Sequence, residues 1–111
     1  MACSMVQGFV LFFIMQKIKS FKDKVVVVTG AASGIGEALS RRFAIAGAKL
    51  GLLDTDADAA ADLARDLESG GAEALAIGCD VASESDCSRA IEDVLQHFHG
   101  IDILVNNAGI T

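Results

Sequence analysis

Residues 25–29 read Val-Val-Val-Val-Thr, a short run that is apolar on both faces and β-branched throughout, and Gly30 ends it. A strand with no polar face suits the interior of a parallel sheet, where helices cover both sides. The period then changes: Ile35, Leu39, Phe43 and Ala46 recur at helical spacing, Glu37, Arg41 and Arg42 take the opposite face, and Gly47 stands at the exit. The alternation repeats. Residues 49–53 make a second apolar strand ending in Asp54, and the acidic, Ala-rich stretch 56–68 carries Leu63 and Leu67 as its inward stripe, with acids in the first turn where the helix dipole favours them. After Gly70 and Gly71, residues 74–77 form a third strand that closes with Cys79, Asp80 and Val81. Ser83, with Asp86 three residues on, opens a helix in the manner of a capping box, and Cys87, Ala90, Ile91, Val94, Leu95 and Phe98 mark its inner face as far as Gly100. Residues 101–105 are a fourth buried-type strand, interrupted by Asp102.

Strand and helix in strict alternation with short connections predict right-handed parallel crossovers. The expected fold class is α/β, a doubly wound parallel sheet of the Rossmann type, represented by its first four strands and three helices only. The fourth strand then stands at an apolar edge with unpaired backbone groups, and something should cover it. At 111 residues the chain suits one domain. The division is 1–20 as an apolar leader and 21–111 as the amino-terminal part of the Rossmann domain.

The leader admits three readings. Its apolar run over 9–15, extended back to Ala2, reaches about 14 residues, short of the ~20 that a membrane-spanning helix needs. Its lysines, Lys17, Lys19, Lys22 and Lys24, follow the run rather than precede it, and no small-residue cleavage site stands nearby, which argues against a secretory signal. What remains is an anchor laid on a membrane surface through residues 6–15, a helix on the core, or residues upstream of a start at Met15.

The net charge is −6, and the acids crowd into residues 50–111, where only Arg65 and Arg89 oppose them. Nucleic-acid binding driven by counterion release needs clustered cations on a folded face, so nucleic acid is not an expected partner. Cys3, Cys79 and Cys87 are odd in number and lack C-x-x-C spacing, which supports neither a disulfide framework nor a zinc site; Cys79 and Cys87 read as small core hydrophobes. A reducing, cytoplasmic compartment is expected. His97 and His99, two apart, do not share a helix face, and no metal site is expected.

The segment Thr29-Gly30-Ala31-Ala32-Ser33-Gly34-Ile35-Gly36 lies between the first strand and the first helix. Gly30 would allow the tight turn, Gly34 would let backbone approach a phosphate, and Gly36 would let helix and strand pack closely, with the helix amino terminus facing the anion. Asp54, at the carboxyl end of the second strand, stands where an acid can accept hydrogen bonds from a ribose 2′-hydroxyl. It would repel a 2′-phosphate, and no cation at Ser33 or Thr55 offsets it, so NAD is favoured over NADP. The alternative is that Asp54 simply caps the helix that follows.

From about Phe21 to Thr111 the chain resembles the amino-terminal part of the short-chain dehydrogenase/reductase family. The family's T-G-x-x-x-G-x-G is matched by residues 29–36, its adenine-side Asp by Asp80 followed by Val81, and its N-N-A-G by Asn106-Asn107-Ala108-Gly109. The resemblance implies that Ser33, Gly34, Ile35 and Gly36 line the pyrophosphate, that Asp80 reaches the adenine amino group with Val81 packed nearby, and that Asn106, Ala108 and Gly109 run along the adenosine and ribose side. Asn106 and Asn107 can equally tie the fourth strand to its neighbours. A carbonyl or alcohol substrate and a homo-oligomeric parent are further implications.

The family's chemistry uses a Tyr-x-x-x-Lys pair, a Ser and a further Asn located after N-N-A-G, and this sequence has no Tyr at all. No catalytic residue is assigned, and the chain alone is expected not to turn over. The leading expectation is the NAD-binding part of an oxidoreductase that moves hydride between nicotinamide and a carbonyl or alcohol. A non-catalytic NAD-binding or subunit-interaction module is the alternative; a methyltransferase shares the Gly-rich loop but leaves 106–109 unexplained.

Overall fold

A computed structural model of the chain describes residues 4–7 and 20–107. In chain order the elements are β1 Ser4–Gln7, β2 Val25–Thr29, α1 Gly34–Ile45, β3 Lys49–Asp54, α2 Ala57–Ser69, β4 Glu73–Gly78, α3 Glu84–Phe98 and β5 Ile103–Asn106. The strands form one sheet in the order β1-β5-β2-β3-β4, and every pairing is parallel. The chain runs from β2 outward through β3 to β4, then returns to place β5 on the other side of β2. That reversal makes a doubly wound sheet with its topological switch between β2 and β5.

The β-branched run explains why β2 is central. All five of its residues are buried, and alternate side chains enter opposite layers. Val26 and Val28 pack with Leu39 and Phe43 of α1 and Leu63 and Leu67 of α2, whereas Val25 and Val27 pack with Ala90 and Val94 of α3. Two helices thus cover one face and one covers the other. The approach of α3 is close: a Cβ built on Gly51 of β3 would lie 3.1 Å from Val94 Cγ2. Phe21 closes the α1 side, edge-on to Phe43 with ring centroids 5.0 Å apart.

The four strands and three helices expected from the sequence are present in residues 25–106, with a correction at the edge. Ser4–Gln7 adds a fifth strand, in register with 103–106 from Ser4 opposite Ile103 to Gln7 opposite Asn106. The β5 edge is therefore covered from within the chain, by a leader segment whose side-chain pattern carries no strand signal. Residues 8–19, on which the apolar leader readings chiefly rest, lie outside the described residues, as do 108–111. Among the described residues no helix is long and apolar enough to cross a membrane.

Smaller differences have local causes. The fourth strand begins at Ile103 rather than 101, because Asp102 leaves the ladder to hold the start of β2: its Oδ2 accepts from Val25 N at 2.9 Å, and its own N–H donates to Val25 O. Leu95, assigned to the inner face of α3, is 36% exposed; the buried stripe runs through Ala90 and Val94. Ser83 caps α3 through Asp86 N, but the Asp86 carboxylate turns to Asp80 N instead of closing a reciprocal box.

Candidate functional site

The Gly-rich loop and the amino terminus of α1 stand at the carboxyl ends of β2 and β5, where open α/β sheets place their ligand crevice. Gly30 and Gly34 both have left-handed backbone, φ 61° and 56°, the region glycine enters without a Cβ penalty. A Cβ on Gly34 would meet nothing within 4 Å, so this glycine faces open space at the first turn of α1. Gly36 is the opposite case. A Cβ there would lie 1.9 Å from Gly30 O and 2.7 Å from Asn107 Nδ2, so the residue permits the contact between helix, loop and the end of β5.

The asparagines explain that contact. Asn107 is buried, and its Nδ2 donates to Gly30 O at 3.2 Å. Asn106 Oδ1 accepts from Thr29 Oγ1 at 3.3 Å, and Thr29 Oγ1 also reaches Val105 O. Both asparagines therefore tie β5 to the glycine turn, as the structural alternative expected of them. Ala108 and Gly109 lie outside the described residues.

Asp54 does not cap α2. That position belongs to Asp56, whose side chain accepts from Ala59 N at 3.0 Å. Instead Asp54 Oδ2 accepts from Ala32 N at 3.0 Å and Oδ1 from Asp56 N at 2.9 Å, while Ala31 N donates to Leu53 O. The carboxylate is thus fastened to the Gly-rich loop itself, beside Ser33, which is exposed and serves as backbone cap of α1 without a side-chain cap bond.

Asp80 and Val81 occupy the loop after β4. Asp80 is exposed and its Oδ1 accepts from Ala82 N at 3.0 Å, a turn bond that fixes the carboxylate without burying it. Val81 is 40% exposed and Ile35 44%. These are two large apolar side chains left in solvent at the sheet's carboxyl end, a placement that carries a hydration penalty unless something covers them. Cys79 N donates to Asp54 O at 2.9 Å, which joins this loop to the end of β3. Gly30, Ser33, Gly34, Ile35, Gly36, Asp54, Asp80, Val81 and Asn106 are therefore gathered at one end of the sheet.

A separate cleft of about 630 Å³ lies along the outer strand β4, lined by Leu75, Ile77, Arg89, Asp93, Gln96 and His97 among others. It is on the flank of the sheet, away from the glycine turn, and none of the motif residues enters it. Among the described residues no cluster of three or more His, Cys, Asp or Glu side chains is arranged to hold a metal ion.

Residues 24–111 match the family described as short chain dehydrogenase. Relatives include a CLA biosynthesis dehydrogenase/reductase of Lactiplantibacillus plantarum, 40% identical over 84% of this chain and 32% of its own length. Another is 11-beta-hydroxysteroid dehydrogenase 1A of Arabidopsis thaliana, 36% identical over 98% of this chain and 33% of its own length. The chain thus spans about a third of the curated relatives it matches. Among solved structures, a 3-ketoacyl-(acyl-carrier-protein) reductase from Brucella melitensis complexed with NADH superposes with a TM-score of 0.76 at 44% identity, covering 82% of this chain and 36% of the reductase. A short chain dehydrogenase/reductase from Burkholderia phymatum in complex with NAD gives 0.74 at 33% identity, covering 78% and 31%. With the match running from Lys24 to Thr111 and the glycine turn at the switch point, this chain belongs to the short-chain dehydrogenase family.

Proposed function

We propose that residues 21–111 bind a nicotinamide dinucleotide, NAD in preference to NADP, and form the cofactor half of an oxidoreductase acting on a carbonyl or alcohol. The observation that carries this reading is the glycine turn: Gly34 open to solvent at the amino terminus of α1, with Gly36 held against Gly30 O and Asn107 behind it. Backbone N–H groups at a helix start, free of an obstructing Cβ, are a ready site for a pyrophosphate. Ser33, Gly34, Ile35 and Gly36 line that anion, and Gly30 sets the turn. The NADH and NAD complexes of the Brucella and Burkholderia proteins support the same ligand class.

The remaining roles follow from position. Asp54 accepts hydrogen bonds from the ribose hydroxyls; its carboxylate already sits on Ala32 N beside the loop, where a 2′-phosphate would meet like charge. Asp80 reaches the adenine amino group, and Val81 with Ile35 gives the dinucleotide apolar surface, which accounts for their exposure. Asn106, Ala108 and Gly109 follow the adenosine and ribose. When bound, the dinucleotide supplies or accepts the hydride; this chain's residues bind and orient it. The sequence holds no tyrosine phenol to exchange a proton with a substrate oxygen, so no turnover is expected from the 111 residues alone.

Thermal unfolding of the full chain with NAD, NADP or S-adenosylmethionine tests the proposal. NAD at about ten times its dissociation constant should add roughly 1.4 kcal/mol, a rise of some 5 °C or more in Tm. No rise at millimolar NAD, or a larger one with S-adenosylmethionine, refutes it.

A further inference from the structure

The loop between β4 and α3 carries both residues assigned to the adenine, Asp80 and Val81, and its conformation is set from outside the site. Residues 79–83 join the two elements. Main-chain bonds hold part of this loop: Cys79 N donates to Asp54 O at 2.9 Å, and Ser83 N to Asp80 O at 2.9 Å. A further bond depends on a side chain. Asp80 N donates to Asp86 Oδ2 at 3.1 Å, which ties the loop to the first turn of α3. Asp86 stands three residues after the Ser83 cap, where an acid can turn back to the cap's own N–H. That N–H is already given to Asp80 O, so the Asp86 carboxylate is left to reach Asp80 N.

Arg89 fixes the same carboxylate from its other side. Its Nη2 donates to Asp86 Oδ1 at 3.2 Å and to Gly78 O, at the end of β4, at 3.5 Å. The result is a clamp that runs from the strand end through Arg89 and Asp86 to Asp80 N. An ion pair this open to solvent contributes little to stability, so its bearing is geometric: it holds one carboxylate in place, and that carboxylate holds one main-chain N–H. At the tip of the clamp, Asp80 Oδ1 accepts from Ala82 N, and no other described residue bonds the Asp80 carboxylate. One oxygen is left to a ligand, at a position the clamp dictates.

We propose that Asp86 is a positioning residue for adenine recognition: with Arg89 it holds Asp80 so that the Asp80 carboxylate meets the adenine amino group, and it thereby sets how strongly the site prefers adenine to a base without that group. This role rests on the dinucleotide reading and on Asp80 as the adenine contact. Asp86 itself touches no part of the dinucleotide. It acts through Asp80, because a hydrogen bond weakens steeply once distance and angle depart from their optimum. A loop released from α3 spreads over placements of which few satisfy both.

The test measures dissociation constants of the full chain for NAD and for nicotinamide hypoxanthine dinucleotide, in which a carbonyl oxygen replaces the adenine amino group. The parent should prefer NAD by about tenfold, as one hydrogen bond to a charged acceptor gives. Asp86→Ala should cut the preference to about twofold by weakening NAD, whereas a merely structural loss would weaken both dinucleotides equally. Asp86→Asn keeps an acceptor oxygen and should restore most of the preference; Arg89→Ala, which leaves the carboxylate untethered, should fall between. Amide hydrogen exchange followed by NMR reads the clamp without any ligand: the Asp80 N–H should exchange at least ~5-fold faster in Asp86→Ala, and an unchanged rate overturns the clamp. A parent that prefers NAD, with the full preference kept in Asp86→Ala, overturns the positioning role. A parent that binds both dinucleotides equally overturns Asp80 as the adenine contact, and one that binds neither overturns the dinucleotide reading. Either result removes the positioning role as well, and the exchange rate tells it apart from a failure of the clamp.

Discussion

Replacing Gly36 with Ala puts two physical arguments in direct opposition. Gly36 is the third residue of α1, where the added methyl should help by about 1 kcal/mol on helix propensity alone. The structure demands the reverse sign. The new Cβ would lie 1.9 Å from Gly30 O and 2.8 Å from Gly30 C, where a carbon normally keeps about 3.4 Å from an oxygen. Both obstacles are backbone, so neither can rotate aside. The start of α1 must lift from the turn by more than ~1 Å, which carries an overpacking penalty near the upper end of 1–3 kcal/mol. The Asn107 Nδ2 bond to Gly30 O is displaced as well, a further ~1 kcal/mol or more because both groups are sheltered. After the propensity gain, the net loss is about 3 kcal/mol, or roughly 12 °C or more in Tm for a domain of this size. Thermal and urea unfolding of Gly36→Ala beside Gly34→Ala would measure it. Gly34 has open space but φ 56°, so its substitution should show only backbone strain of about 1–2 kcal/mol. A Gly36→Ala protein as stable as the parent, or more stable, would refute the close-approach argument.

Asp54→Ala should lower NAD affinity and bring the NAD to NADP preference down by about tenfold, since one like charge near the ribose is removed; an unchanged ratio in parallel titrations removes the ribose assignment. Asp102→Ala deprives Val25 N of a charged acceptor at 2.9 Å and should cost roughly 1.5–3 kcal/mol in urea unfolding with m unchanged, against a negligible loss if Asp102 were only a strand interruption. Stability should fall as pH rises from about 9 toward 11, because the unfolded Cys79 thiol ionises first while the folded one, raised by burial and by Cys87, keeps its proton. Fewer protons are bound by the unfolded state in that window, so the slope is negative. With no tyrosine in the chain, Cys79→Ala should visibly flatten this alkaline arm, and an arm of unchanged slope would contradict the buried thiol.

Much of the molecule could be read locally. The run 25–29, buried on both faces, forecast the central strand, and the i, i+4 spacing of Leu39 with Phe43 and of Leu63 with Leu67 found the inner faces of two helices. The glycine spacing located the turn, and the positive φ at Gly30 and Gly34 with the clash at Gly36 are what those three positions required. The sequence pattern was less reliable where burial depends on how far a helix is covered. Ile35 and Leu95 both fit an apolar stripe, yet they are 44% and 36% exposed.

What the sequence alone determined is therefore the order and kind of the elements, because periodicity and glycine are properties of short stretches of chain. The tertiary structure decided the partners. Asp54 could cap a helix or hold a loop, and only the placement of β3 beside the glycine turn put Ala32 N, 22 residues away, against its carboxylate. Asp102 and Asn107 find theirs 77 residues away. Two cysteines that carry no motif join one apolar cluster because α3 lies back across the sheet from the end of β4. The strand at Ser4–Gln7 is the extreme case: adding a strand to an edge uses main-chain N–H and C=O groups that almost every residue owns, so side-chain pattern gave little sign of it, and the open edge of β5 selected it.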